Sequence, residues 1–326
     1  MVTVTLSYYH GITPYKIVMQ HRKMSVLHFV SERRLRKPVL CVPALISRSY
    51  VLDLTEGAST VRALCDAGYD VFLIDWGVVS DEDANLSLQD VLASIDRAAD
   101  AVRTQSGSRN LTLLGYCMGG TLALMWAAWR RLGRKNNLVL LAAPFDAKNG
   151  GTLAHWCQDR FVDIDRVVAT FGNVPANVVE ALFTLLRPTA KMRAAIGFTG
   201  TYEDPASVRS FSAMDRWAND WVAFPGQAAK EWIAWIYREN RLRDGTLELH
   251  GTRLDVRNVK AATLIVAAPG DAIVPAESSR ALAEAIGSRD VTTIDVKGGH
   301  IGMVASAKTA RDLFTALLLW LRPRSE

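Results

Sequence analysis

The segment at residues 111–121, with the sequence LTLLGYCMGGT, constrains the fold of this chain more than any other. It joins an apolar, strand-like run to the alanine-rich helical run at residues 122–129 through a G-x-C-x-G turn centred on Cys117. A turn of this kind between a strand and a helix holds a nucleophilic side chain on a strained backbone, and its glycines let strand and helix approach closely. A cysteine beside glycines is also often a small buried hydrophobe, so the motif alone leaves both interpretations open.

Two later segments favour the catalytic interpretation. Asp271 lies in AAPGDAIVP, directly after the apolar run at residues 262–267, and His300 lies in VKGGHIG, directly after the strand-like run at residues 291–296. Nucleophile, acid and histidine therefore follow one another in the chain order of α/β-hydrolase triads. Each piece alone is weak, but the three together predict a catalytic triad of Cys117, Asp271 and His300.

The rest of the chain predicts the scaffold for such a triad. In the first half, strand-like and helical runs alternate, with strands at residues 39–42, 69–74, 111–114 and 138–143 and helices at residues 60–67 and 88–103. This alternation indicates a mostly parallel sheet with crossover helices on both faces. From about residue 145 to residue 250, helical segments with large aromatic side chains predominate. We therefore expect an α/β fold, a single α/β-hydrolase domain at residues 1–326 with a helical cap at about residues 145–250.

Composition and charge exclude several other classes of protein. The chain has 326 residues, of which 49% are hydrophobic and 22% charged, which is enough material for a large core. Its net charge of +5 is spread over scattered Lys and Arg residues, and no zinc-finger, helix-turn-helix or aromatic-basic pattern indicates a nucleic-acid partner. The four cysteines form no CxxC pair, which indicates reduced thiols. Without a signal-peptide pattern or an apolar run of about 18 residues, we expect a cytoplasmic protein with no transmembrane segment.

Further segments match a known family. They are PALISRSYVLDL at residues 43–54, VFLIDWG at 71–77, GYCMGG at 115–120, DAIVP at 271–275 and GGHIG at 298–302, with TFGNVPANVV at 170–179 and RWANDWVAFPGQ at 216–227 in the expected cap. With these segments the chain resembles the polyhydroxyalkanoate synthases over nearly its whole length, from about residue 13 to residue 321. Since it lacks the long N-terminal domain of the one-subunit synthases, it is similar to the short catalytic subunit of the two-subunit, class III-like type.

The resemblance implies an acyltransferase that polymerises 3-hydroxyacyl-CoA into polyhydroxyalkanoate through a thioester on Cys117. In such an enzyme His300 is the base that deprotonates the thiol, and Asp271 helps to activate the 3-hydroxyl group for chain extension. Elementary chemistry agrees, because a neighbouring imidazole and a helix N-terminus both favour the thiolate. Backbone N–H groups can hold the tetrahedral oxyanion, and we expect them at Met118, directly after the nucleophile, and at Leu45, in the loop after the first predicted strand.

The resemblance also implies what the protein works with. No metal and no cofactor is expected, since coenzyme A enters as part of the acyl substrate. The expected partners are 3-hydroxyacyl-CoA and the growing polyester chain, and a non-catalytic synthase subunit and a second copy of this chain are further candidates. The expected localisation is the cytoplasm, including the surface of a polyester granule.

One departure from the family keeps other functions open. The aspartate of the family is usually followed by histidine, whereas Ala272 follows Asp271 here. A Cys-dependent thioesterase or esterase would share the acyl-enzyme step and pass the acyl group to water, and Ala272 leaves room for it. A non-catalytic granule-binding or scaffold protein would keep the fold, but it has no need of Cys117, Asp271 and His300 together.

Overall fold

A computed structural model describes residues 9–31, 37–158, 161–200, 202–249 and 251–325. At its centre lies an eight-stranded sheet, formed by β1 (Lys16–His21), β2 (Met24–Phe29), β3 (Val39–Val42), β4 (Val71–Asp75), β5 (Thr112–Tyr116), β6 (Asn137–Leu141), β7 (Ala262–Ala267) and β8 (Val291–Asp295). The strands lie in the order β1-β2-β4-β3-β5-β6-β7-β8. β2 pairs antiparallel with β1 and with β4, and every other neighbouring pair in this sheet is parallel. The sheet is therefore mostly parallel, as the alternation of strands and helices predicts.

Both faces of this sheet are buried at its centre. The strands β3, β5, β6 and β7 contain only buried residues, as expected where helices cover a parallel sheet on both sides. Neighbouring residues of a strand point to opposite faces, so Leu113 of β5 joins one apolar core and Leu114 joins the other. Cys117, which directly follows β5, is thus attached to the most buried part of the molecule.

Helices cover the sheet and fill its longest connection. In chain order they are α1 (Thr60–Asp66), α2 (Leu88–Ser106), α3 (Met118–Trp129), α4 (Gly151–Gln158), α5 (Ile164–Phe171), α6 (Ala176–Leu186), α7 (Ala190–Thr199), α8 (Pro205–Ala218), α9 (Gly226–Trp232), α10 (Arg241–Asp244), α11 (Ala276–Arg280), α12 (Leu282–Ala285), α13 (Gly302–Ala305) and α14 (Ala307–Leu321). α2 and α3 pack on one face of the sheet, and α1 and α14 pack on the other. Among the described residues, none of these helices combines the length and the apolar character that a membrane span needs.

A long insertion separates β6 from β7. It contains α4 to α10, a π-helical turn at Ile233–Arg238 that continues α9, and a short hairpin of Glu248–Leu249 and Thr252–Arg253. The helical stretch expected at about residues 145–250 lies within this insertion. The assignment of one domain with a cap stays a prediction, and its range of 1–326 extends beyond the described residues.

Candidate active site

The turn after β5 holds Cys117 in a rare backbone conformation. Its φ and ψ angles are 56° and −132°, and a positive φ is uncommon for a residue with a side chain. Its N–H donates to Leu141 O (2.9 Å), and its carbonyl accepts from Gly120 N (2.8 Å). Strained conformations persist where the surrounding structure over-determines them, and they cluster at active sites. The half-buried thiol of Cys117 lies directly before α3, at the positive end of the helix dipole.

The glycines around Cys117 allow a very close approach of backbones. A Cβ atom at Gly119 would collide with the carbonyl oxygens of Val42 and Pro43, and one at Gly115 would lie 2.5 Å from Gly119 O. Since no residue with a side chain fits at these positions without a shift, α3 begins in direct contact with the ends of β3 and β5. This is the packing that the G-x-C-x-G motif predicts.

Asp271 and His300 come together although 29 residues separate them. They follow β7 and β8, two neighbouring parallel strands, so both lie at the same edge of the sheet as Cys117. His300 Nδ1 lies 2.6 Å from Asp271 Oδ2, and the two side chains are 5% and 0% exposed. His300 also lies close enough to Cys117 for negative charge on the sulfur to raise the pKa of the imidazole. The structure thus brings together all three residues of the predicted triad.

The turn after β7 holds the carboxylate of Asp271. Its Oδ1 accepts hydrogen bonds from Ile273 N (2.8 Å) and Val274 N (2.9 Å), while its Oδ2 faces the imidazole of His300. A carboxylate at Nδ1 orients the ring and fixes its tautomer. With Nδ1 held by Asp271, Nε2 is the ring nitrogen left for proton transfer.

Sequence reasoning missed Tyr116, the residue before the nucleophile. Its hydroxyl donates to His300 O (3.0 Å), and its ring stacks on the imidazole with centroids 5.3 Å apart. Burial, together with the negative charges of Cys117 and Asp271, raises the pKa of this phenol well above its usual value, so the hydroxyl stays a neutral donor. The contact spans 184 residues, and the only signal for it in the sequence was the place of Tyr116 beside Cys117.

The surroundings of His300 favour its protonated form. Burial lowers the pKa of His300, but negative charge on Cys117 and on Asp271, with hydrogen bonds to both, raises it to about 10. A positively charged imidazole beside a cysteine is one of the surroundings that favour a reactive thiolate.

The other three cysteines are of a different kind. Cys41 and Cys157 are buried and Cys65 is half-buried. Burial raises the pKa of Cys65 and Cys157 to about 12, and it raises the pKa of Cys41 further. Because the thiolate is the nucleophile, these three protonated thiols are poor candidates at neutral pH, which leaves Cys117.

An apolar cavity of about 590 Å³ extends from Cys117 into the insertion. Its wall includes Ile46 after β3, Leu182 of α6, Trp232 of α9 and Tyr237 of the π-helical turn. A cavity of this size and lining suits a small organic ligand with an apolar chain. Among the described residues, no group of three or more His, Cys, Asp or Glu side chains is placed to hold a metal ion.

The two expected oxyanion donors lie in different surroundings. Met118 lines the cavity. Because it is the first residue of α3, its N–H has no acceptor within its own helix. Leu45 is buried in the loop after β3, and its side chain lines a separate small pocket beside Trp76. The next residue, Ile46, is the one whose side chain faces the main cavity. The backbone role of Met118 and Leu45 stays a prediction.

Comparison with known proteins identifies the family. A family model described as alpha/beta hydrolase fold matches residues 37–305. The poly(3-hydroxyalkanoate) polymerase subunit PhaC of Haloarcula marismortui is 36% identical over 97% of this chain and 69% of that protein. The subunits of the same name from Allochromatium vinosum and Synechocystis are each 34% identical, over 88% and 96% of this chain and 81% and 85% of those proteins. The chain belongs to the PhaC family.

Solved structures agree on the fold of this PhaC-family chain. A monoacylglycerol lipase of Paleococcus ferrophilus has a TM-score of 0.59 at 18% identity, over 93% of this chain and 99% of the lipase. A putative lipase of Sulfolobus solfataricus also has a TM-score of 0.59, at 15% identity, over 96% of this chain and all of that protein (100%). At such identities the likeness concerns the fold alone. The predictions of an α/β-hydrolase fold and of the polyhydroxyalkanoate synthase family are therefore confirmed.

Ala272, which departs from the pattern that the resemblance implies, lies at the surface. Ala272 is exposed, whereas Asp271 before it and Ile273 after it are buried. The hydrogen bonds that hold Asp271 come from the backbone of Ile273 and Val274. The geometry of the carboxylate therefore does not depend on the side chain at position 272.

Proposed function

We propose that this chain is an acyltransferase that polymerises 3-hydroxyacyl groups from coenzyme A thioesters into polyhydroxyalkanoate. One observation carries the proposal: the thiol of Cys117 stands in a strained turn against the buried pair of His300 and Asp271. Relatives at 31–36% identity that bear the name poly(3-hydroxyalkanoate) polymerase subunit support it.

The first step of the proposed reaction is acylation of Cys117. The thiolate attacks the carbonyl carbon of the thioester, and the N–H groups expected at Met118 and Leu45 hold the tetrahedral oxyanion. The bond to the sulfur of coenzyme A then breaks, and the imidazolium of His300 protonates the leaving thiolate. Because one thioester replaces another, the step needs little driving energy.

The second step extends the chain. His300 takes the proton from the 3-hydroxyl group of an incoming acyl unit, and the oxygen attacks the acyl carbon held on Cys117. The carbon–sulfur bond breaks, an ester forms and the thiolate of Cys117 is restored. Water in place of the hydroxyl group would give a free hydroxy acid, which is the product of the thioesterase alternative.

Incubation with 3-hydroxybutyryl-CoA tests this function. We expect the wild-type chain to release free coenzyme A together with insoluble polyester, and Cys117→Ala to abolish both because the acyl carrier is gone. Cys65→Ala is the matched control, since Cys65 is also half-buried but lies in α1, and it should behave as wild type. Turnover retained in Cys117→Ala contradicts the nucleophile assignment, and free 3-hydroxybutyrate without polymer supports a hydrolase instead.

The proposal also covers the partners and the localisation of the protein. The relatives are named as subunits, and we propose a non-catalytic second subunit or a second copy of this chain as the partner, with the surface of a cytoplasmic polyester granule as the site of action. Large apolar side chains exposed on the insertion support contact with a partner or with polyester, and they include Phe161, Phe171, Leu185, Met192 and Ile196. The incubation above, with and without co-expressed partner, measures its effect on polymer yield.

A further inference from the structure

The loop at residues 43–48, between β3 and the following turn, forms one side of the active site. Its residue Ile46 lines the cavity beside Cys117, and Pro43 O lies against Gly119 of α3. All of the loop's residues are described, and none belongs to a helix or a strand of the sheet. Its position therefore depends on what packs against it. It carries Leu45, one of the two expected oxyanion donors, and we call it the oxyanion loop.

A short segment of the insertion, residues 217–222, closes on the oxyanion loop, and we call it the clamp segment. Three contacts join them: Val222 N donates to Ile46 O (3.3 Å), Trp217 Nε1 donates to Arg48 O (3.0 Å), and Ser47 forms an antiparallel bridge with Trp221. The contact from Trp217 to Arg48 spans 169 residues. The insertion, rather than the sheet, thus supplies the hydrogen bonds along this side of the loop.

An ion pair strengthens this closure. Arg48 Nε donates to Asp220 Oδ1 (3.0 Å), and Tyr50 Oη donates to Asp220 Oδ2 (3.0 Å), so both carboxylate oxygens are engaged. The side chains of Arg48 and Asp220 are 10% and 27% exposed. Exposed ion pairs contribute little to stability, but a shielded pair with charge-assisted hydrogen bonds holds its partners in a defined geometry.

We propose that the clamp segment positions the oxyanion loop for acyl transfer, with Asp220 and Trp217 as positioning residues. The inference rests on the proposed function, because it concerns the oxyanion of that reaction. An oxyanion donor acts only within hydrogen-bond distance of the developing negative charge, and a small displacement of reacting groups lowers the rate steeply. Release of Arg48 from the clamp segment frees the backbone beside Leu45, so the donor is no longer fixed.

The substitution Asp220→Asn tests the inference, since it removes the charge and keeps the shape of the side chain. At saturating 3-hydroxybutyryl-CoA we expect the acylation of Cys117 to slow about tenfold or more, with KM within about twofold of wild type because substrate binding is untouched. The alkylation of Cys117 by iodoacetamide should keep its wild-type rate. That reaction occurs at a saturated carbon and forms no oxyanion.

The two rates separate the possible outcomes. An equal loss of acylation and alkylation indicates general damage to the site and overturns the inference, and so does a variant in which neither rate changes. A wild-type chain that is alkylated at Cys117 but releases no coenzyme A overturns the proposed function, and the inference with it. Mass spectrometry of the peptide that contains Cys117 measures both reactions.

A second variant tests whether Arg48 and Asp220 act through the same ion pair. Arg48→Gln should slow acylation as Asp220→Asn does, and the double variant should be no slower than either single one, because both act through one ion pair. Additive losses contradict the proposal. The matched control is Asp290→Asn, which breaks the ion pair with Arg324 (2.9 Å) at the opposite edge of the sheet and should leave both rates unchanged.

Discussion

At the scale of the residue, the contacts of Asp271 favour a role that acts through His300 rather than on the substrate. Its carboxylate is fully buried, with Oδ1 occupied by two backbone N–H groups and Oδ2 by the imidazole. The resemblance implies that Asp271 helps to activate the 3-hydroxyl group, and two routes serve this role: the carboxylate itself, or an imidazole that the carboxylate supports. The geometry supports the second, because the imidazole is the group that stands beside Cys117.

Acylation of Cys117 should lower the pKa of His300 during the proposed reaction. Its raised pKa depends partly on the negative charge of the Cys117 thiolate. Acylation turns that thiolate into a neutral thioester, so this contribution disappears and Asp271 alone supports the imidazolium. The imidazolium has passed its proton to the leaving thiolate by then, and the neutral imidazole is the base that chain extension needs.

His300→Gln is expected to slow acylation by about 100-fold, the scale of a lost general base. In the wild type the pKa of His300 is raised to about 10, so the imidazolium is present below that pH and is lost only as pH rises through it. The alkylation rate of Cys117 should therefore stay high at neutral pH, whereas in His300→Gln it should increase with pH as for an isolated thiol. Iodoacetamide labelling from pH 6 to pH 9 measures this.

A histidine far from the sulfur provides the control for that profile. His155 is exposed on α4 and is not part of the cavity wall, so His155→Gln should follow the wild-type profile. Identical profiles for His300→Gln and wild type would show that the imidazole does not stabilise the thiolate.

At the scale of the element, the start of α3 fixes the nucleophile. Gly119→Ala is expected to destabilise the fold by about 3 kcal/mol, the upper end of the usual cost of overpacking, since its Cβ meets backbone oxygens that cannot rotate away. Gly133→Ala is the control, because a Cβ there meets no atom within 4 Å. Chemical denaturation measures both. Equal stabilities of the two variants contradict the close contact between α3 and β3.

The elements that sequence predicts best are those set by local patterns. The strand expected at residues 262–267 is β7 without any change, and the helix expected at residues 88–103 is α2 with a slightly later end. The position of each predicted triad residue could be inferred from the sequence because each follows a strand, and parallel strands end at one edge of a sheet. The role of the clamp segment could not be predicted from the sequence, because the contacts of Trp217 and Asp220 with the oxyanion loop join chain segments about 170 residues apart.

At the scale of the whole molecule, the sheet and the insertion contribute different parts of the candidate site. The turns after β5, β7 and β8 carry Cys117, Asp271 and His300, whereas the insertion, with α5 and α6 above all, contributes most of the cavity wall. The function of a protein lies in the site built on its fold rather than in the fold itself, and here the reacting groups and the cavity wall come from different parts of the chain. Specificity for the acyl chain should accordingly respond to changes in α6 that leave the triad untouched.

Leu182→Trp makes that division testable, because Leu182 of α6 lines the cavity and a larger side chain fills part of it. We expect kcat/KM for 3-hydroxyhexanoyl-CoA, relative to 3-hydroxybutyryl-CoA, to fall about tenfold, the scale on which an apolar pocket discriminates chain length. Leu319→Trp is the control, since Leu319 is exposed on α14 and should leave the ratio unchanged. If Leu182→Trp slows both substrates equally while iodoacetamide still labels Cys117 at the wild-type rate, the wall formed by α6 does not select the acyl chain, and specificity has to lie closer to Cys117.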